Sequence, residues 1–150
     1  MSHGEEGTFF CSDNESFEDD KLFDLFNGKN CRSLVGKPKL FFLQKCDGKE
    51  RDPGVTLHGS SKAIGTKIPT EADFLYHYAT FPGHVAYRTR DGSWFVKSLC
   101  DLLKEYWNEK DLLQILTLVN NKVATKYETR KEEKQMPCVV STLRKSLYLY

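Results

Sequence analysis

No apolar run in this 150-residue chain approaches the roughly 18 residues that a membrane-spanning helix needs, so no helical span is expected. An excess of one charge is missing too: 22 Lys and Arg stand against 21 Asp and Glu, a net charge of +1. Nothing global therefore steers the chain to nucleic acid or to an anionic membrane, and neither is expected as a partner. The five cysteines (Cys11, Cys31, Cys46, Cys100, Cys138) are odd in number, widely spaced, and nowhere form Cys-x-x-Cys. The four histidines (His3, His58, His77, His84) have no metal-ligand spacing. A zinc site or disulfide framework is not expected, nor any cofactor, and reduced thiols fit better. The first residues, Met1 to Glu6, hold neither a basic nor an apolar stretch. No secretory signal is expected, and the cytoplasm is the expected location.

What is present suits one soluble α/β domain. Apolar residues make up 39% and charged residues 29%, and the length is enough to bury a real core. Thr8 to Cys11 is a short β-prone run, followed by a turn at Ser12 to Glu15. Apolar spacing predicts a helix from Phe17 to Asn27, stopped by Asn27-Gly28. Cys31 to Gly36 reads as loop, and Pro38 to Cys46 as a buried strand, because Leu40 to Leu43 are apolar without alternation. From Asp47 to Lys67 Gly, Pro, Ser, Lys and Asp dominate, the composition of a mobile linker. Phe74 to Thr80 and Val85 to Arg88 are predicted strands. Two amphipathic helices follow, Phe95 to Trp107 and Asp111 to Val123. A charged loop, Glu128 to Lys134, precedes two β-prone runs, Met136 to Leu143 and Leu147 to Tyr150. Strands alternating with helices predict a layered α/β fold with a mostly parallel sheet.

The chemistry concentrates at Cys46. It ends an apolar strand, where α/β sheets present their sites, and a His lies upstream at His3. A thiolate is the nucleophile of cysteine hydrolases, and an imidazole beside it activates the thiol and later protonates the leaving amine. Gly4 offers a bare backbone N–H near a developing oxyanion, with the Cys46 N–H as companion. On spacing alone, a buried small thiol and a frayed terminal imidazole are the better account of Cys46 and His3, since a lone Cys and His are a weak signal.

Ser2-His3-Gly4-Glu5-Glu6-Gly7 resembles the catalytic-histidine motif of caspases, and Gly36 to Cys46 their catalytic-cysteine strand. Ile68 to Leu75 resembles the start of the caspase small subunit, and Tyr78 to Gly83 the strand and turn after it. Tyr87-Arg88 and Asp91 to Phe95 resemble the substrate-recognition strand and loop; Gln135 to Ser141 resembles the strand that pairs across the caspase dimer. The likeness is collinear over nearly the whole chain and is strongest to the executioner type.

That resemblance implies a three-layer α/β/α fold with a mostly parallel central sheet. Residues 1–48 would be the C-terminal part of a large subunit, 49–67 the intersubunit linker, and 68–150 the small subunit. His3 would be general base and acid, Cys46 the nucleophile, and Gly4 with the Cys46 amide the oxyanion hole. Gln44 and Arg88 would line the pocket for a substrate Asp, an Arg fork being matched to a carboxylate. Val85, Tyr87 and Trp94 would form apolar subsites, although core packing accounts for Tyr87 and Trp94 without the resemblance, and a surface ion pair for Arg88. Met136, Cys138, Val139, Val140, Ser141 and Leu143 would lie in the dimer interface. The implied partners are protein substrates with Asp at the cleavage site and a second caspase chain, the same or different.

Three features depart from the family. Its large subunit continues upstream of the histidine motif, with further strands and a second pocket Arg, so the sheet is expected to lack its N-terminal strands. Lys45 and Asp47 replace Ala and Arg around the nucleophile. A neighbouring Lys lowers a thiol pKa and a neighbouring carboxylate raises it, while a buried Lys side chain is costly. In the linker, Asp52 precedes Pro53, a poor scissile bond. These changes predict an impaired peptidase. The alternative is an inactive homologue that acts as a decoy or regulatory dimer partner of an active caspase.

Overall fold

The computed structural model describes residues 4, 5, 7–46 and 69–150. His3 and the linker, including Asp47, Asp52 and Pro53, lie outside the described residues.

Three short strands, β1 (Gly4–Glu5), β2 (Thr8–Phe10) and β3 (Ser16–Glu18), form a small antiparallel sheet. The β2–β3 turn uses Asn14 at φ 66°, a left-handed conformation that Asn tolerates. α1 (Asp19–Asp24) follows directly. It is shorter at both ends than the helix expected over Phe17 to Asn27. Phe17 is taken by β3, where it pairs with Phe9, their rings 5.5 Å apart. At the other end the Asn27 side chain accepts from the backbone N–H groups of Lys29 and Asn30, closing a turn in place of another helical turn.

The central sheet has the order β4 (Lys39–Leu43), β5 (Phe74–Tyr78), β8 (Cys138–Ser141). β4 and β5 run parallel with Leu43 opposite Tyr78, whereas β8 is antiparallel to β5. Among the described residues the sheet is thus half parallel. The period of two separates its faces. Phe41, Phe74 and Tyr76 form a stacked aromatic face that meets Phe23 of α1. Leu40, Leu75 and Val139 face the opposite way, into the main core.

That core is closed by α2 (Trp94–Tyr106) and α3 (Leu112–Lys126). Ser93 caps α2 by accepting from the Val96 N–H, and Asp111 with Gln114 forms a capping box on α3. The helical spacing read from the sequence selects the buried residues: Phe95, Leu99 and Leu102 on α2, and Leu112, Ile115, Leu116, Val119 and Val123 on α3. One α-helical layer on each face of the sheet makes the three-layer arrangement.

Two expected strands differ. Leu147 to Tyr150 forms none; the Leu147 carbonyl instead accepts from the N–H of Leu112, at the start of α3. Only Arg88 of the expected strand Val85 to Arg88 is paired, in the hairpin of β6 (Arg88–Thr89) with β7 (Gly92–Ser93). The Ala86 and Tyr87 N–H groups are satisfied by side chains rather than by a neighbouring strand.

Two polar clamps hold the segment that enters β5. The buried Lys39 ammonium donates to the carbonyls of Ala72 (2.9 Å), Lys37 (3.1 Å) and Leu34 (3.5 Å), and lies 4.6 Å from the centre of the Phe74 ring. Asp73, at φ 66°, accepts a forked pair of bonds from Arg144, whose guanidinium holds its carboxyl below the usual range.

His77 lies fully buried on the core face of β5, edge-on to Phe95 at 4.6 Å, its Nε2 3.0 Å from Asn120 Oδ1. Burial pushes its pKa down to about 4. The unfolded chain therefore takes up a proton below pH ~6.5 that the folded chain refuses. The resulting stability is complete above that pH and falls away towards pH 4, by up to about 3 kcal/mol. Urea unfolding between pH 7 and pH 4 is expected to show this loss, and His77→Leu to flatten it.

Candidate active site

The parallel register sets the site. Leu43 and Tyr78 end their strands side by side, and the Ala79 N–H donates to the Leu43 carbonyl (2.9 Å), carrying the pairing one step further. The chain leaving β4 and the chain leaving β5 therefore open on the same edge, the place where α/β sheets hold ligands.

Cys46 lies half-buried three residues beyond β4. Its Sγ accepts from the Ala86 N–H at 3.5 Å and donates to the Ala86 carbonyl at 3.7 Å. Gln44, two residues earlier, accepts from the Ser93 hydroxyl, the same hydroxyl that caps α2. Ser93 is also the register partner of Arg88, which is exposed on β6. Gln44 and Arg88 thus meet at one residue, and Cys46 lies against the segment just before Arg88. No two of the five cysteines form a disulfide.

Of the expected apolar subsites, Val85 and Tyr87 are half-buried and Trp94 is buried. Trp94 is held between Tyr87 (ring centres 4.8 Å) and Tyr127 (5.3 Å), so one ring stack links the segment before Arg88 to the end of α3. The Tyr87 hydroxyl donates to Glu133 (3.2 Å) in the loop after α3. Gly4 contributes backbone in β1, paired to Phe9.

Lys45 is where the chemistry differs most from expectation. Its side chain is buried and pairs at 3.0 Å with the buried Asp19, the first residue of α1. A buried ammonium is expensive to desolvate, and a carboxylate at this distance offsets that cost. The ammonium next to Cys46 is therefore drawn to α1. Nothing in the sequence marks Asp19 as the partner of Lys45, Ser93 as that of Gln44, or Gln135 as that of Tyr87, because each contact joins residues distant in sequence.

The expected dimer residues lie on and around β8, an edge of the described sheet. Met136, Val140 and Ser141 are exposed, and Cys138, Val139 and Leu143 half-buried.

The caspase domain family model matches residues 1–148. This chain belongs to the caspase family. It is 47% identical to caspase-3 of Xenopus laevis and 48% identical to caspase-3 of Mus musculus, each alignment covering all of this chain. It covers 54% and 57% of those proteins, so it spans little more than half their length. The crystal structure of caspase-1 from Spodoptera frugiperda superposes with a TM-score of 0.87 at 36% identity, over 99% of this chain and 60% of the other. The fold is thus the caspase-like α/β fold.

Breaking the buried pair from one side should be costly. Lys45→Ala or Asp19→Leu alone is expected to lower the unfolding free energy by about 3–5 kcal/mol, whereas the double variant should recover most of it. Urea unfolding of the four proteins in a double-mutant cycle checks this.

Proposed function

We propose that this chain carries the thiol half and the recognition segment of a caspase-type cysteine endopeptidase cutting after Asp, in the proteolysis associated with apoptosis. In this reading residues 1–48 are the end of a large subunit, 49–67 the intersubunit linker and 68–150 the small subunit, in a cytoplasmic protein. Cys46 attacks the carbonyl carbon of the Asp–X bond as thiolate. His3 takes the thiol proton and returns it to the departing amine. The N–H groups of Gly4 and Cys46 receive the oxyanion, and water then releases the Asp-terminated product from the thioester. Arg88 with Gln44 accommodates the substrate carboxylate, and Val85, Tyr87 and Trp94 its neighbours.

The observation that carries this reading is the meeting of Cys46 with Ala86, and of Gln44 and Arg88 at Ser93. A nucleophile and a carboxylate-binding fork at one sheet edge suit an Asp-directed thiol peptidase. Lys45 and Asp47 in place of Ala and Arg argue for slow turnover.

A second reading is a regulatory partner of an active caspase, pairing through residues Met136, Cys138, Val139, Val140, Ser141 and Leu143. It is favoured by apolar exposure beside the β8 edge, 40% at Met136 and 47% at Val140.

The test is labelling with an Asp-containing fluoromethyl ketone, read by intact mass. One adduct is expected, absent in Cys46→Ala and about tenfold or more slower in Arg88→Ala, which loses a charge-assisted contact. A folded protein that takes no adduct would overturn the peptidase reading and leave the partner reading standing.

A further inference from the structure

The residues before Arg88 hang between two side chains rather than in a sheet, and one of those side chains is deeply buried. Gln135, 1% exposed, sits just before β8. Its Nε2 donates to the Ala79 carbonyl at 2.6 Å, and its Oε1 accepts from the Tyr87 N–H at 2.7 Å. Both amide atoms are used, and the two partners fix its orientation, since a carbonyl only accepts and an N–H only donates. Gln135 therefore joins the two ends of the excursion that runs from β5 through the Pro82-Gly83 turn to Tyr87. Within that excursion Ala86 presents its N–H and carbonyl to the Cys46 thiol.

We infer that Gln135 is a positioning residue of this site: by holding Tyr87 to the end of β5, it seats Ala86 on Cys46 and so controls access to the nucleophile. The inference deepens the peptidase reading and rests on it for its meaning, because the clamped segment is the one assigned to bind substrate. An incoming peptide must draw Ala86 off the thiol while Gln135 keeps Tyr87 in place. The clamp thus separates a part of the segment that moves from a part that does not. The Tyr87 hydroxyl on Glu133 and the Tyr87–Trp94–Tyr127 stack hold the same side chain from its far end. Gln135 differs from these in acting on the backbone, one residue from the contact with sulfur.

The experiment follows the thiol and needs no turnover. The full chain is treated with iodoacetamide under native conditions, and alkylation at each cysteine is timed by peptide mass mapping. In Gln135→Met, which keeps the length but neither donor nor acceptor, Cys46 is expected to react about fivefold faster or more. The half-buried Cys11, Cys31 and Cys138 and the exposed Cys100 should keep their rates. An unchanged Cys46 rate, or a rise shared by every half-buried cysteine, would overturn the inference. Amide exchange in the unaltered protein tests it even where the variant does not fold. The Tyr87 amide should be protected, and exchange as fast as that of an open amide would overturn the clamp. Selective acceleration at Cys46 in a protein that takes no fluoromethyl ketone would keep the clamp and remove the peptidase.

Discussion

Everything at the candidate site depends on one parallel pairing. β4 and β5 are separated by a long stretch of chain, yet Lys39 lies opposite Phe74 and Leu43 opposite Tyr78. A slip by one residue would exchange the aromatic face against α1 for the core face against α2 and α3. It would also move the start of both exit segments, so that Cys46 no longer met Ala86. Register is therefore set by burial on both faces, and the site inherits its geometry from the core. At the opposite end of the sheet the Lys39 cage ties the starts of β4 and β5 together, and the Asp73–Arg144 fork ties the start of β5 to the chain leaving β8.

The residue before Cys46 shows how a costly buried charge is accommodated. A lysine at position 45 brings a charge into a buried place, and a carboxylate at the start of α1 meets it there. The pair ties the Cys46 segment to the small N-terminal sheet, since the Asp19 N–H also donates to the Gly7 carbonyl (2.9 Å). Electrostatics around the thiol thus involve a helix that a reading confined to neighbouring residues would not include. The effect belongs to packing as much as to charge.

Much of the architecture was legible in the sequence because it follows from periodicity. The helices over 94–106 and 112–126 lie within a few residues of their predicted spans, and β4 and β5 stand where the apolar runs stand. The first helix and Val85 to Arg88 differ from their predicted forms for a shared reason. Phe17 pairs with Phe9 in a sheet, and the Tyr87 backbone bonds to the Gln135 side chain, so in both places a tertiary partner outweighs local preference. The motif residues Cys46, Gln44 and Arg88 could be picked out as letters. Ser93 and Gln135 stand in the resembling stretches too, but nothing in the letters shows the contacts that they and Asp19 make. A serine at a helix cap, an aspartate in a first turn and a glutamine after a charged loop look ordinary until folding brings them to their partners.

The two tryptophans occupy opposite environments. Trp94 is 6% exposed and packed between Tyr87 and Tyr127, whereas Trp107, at the end of α2, is 45% exposed. The molecule thereby carries a built-in optical gauge with its own reference. Emission from Trp94 senses any shift of Tyr87, and so of the segment lying over the thiol. Trp107, in water at the far end of the same helix, stays silent to that motion. A ring stack that serves packing also makes the state of the segment over Cys46 visible as light, without an added dye.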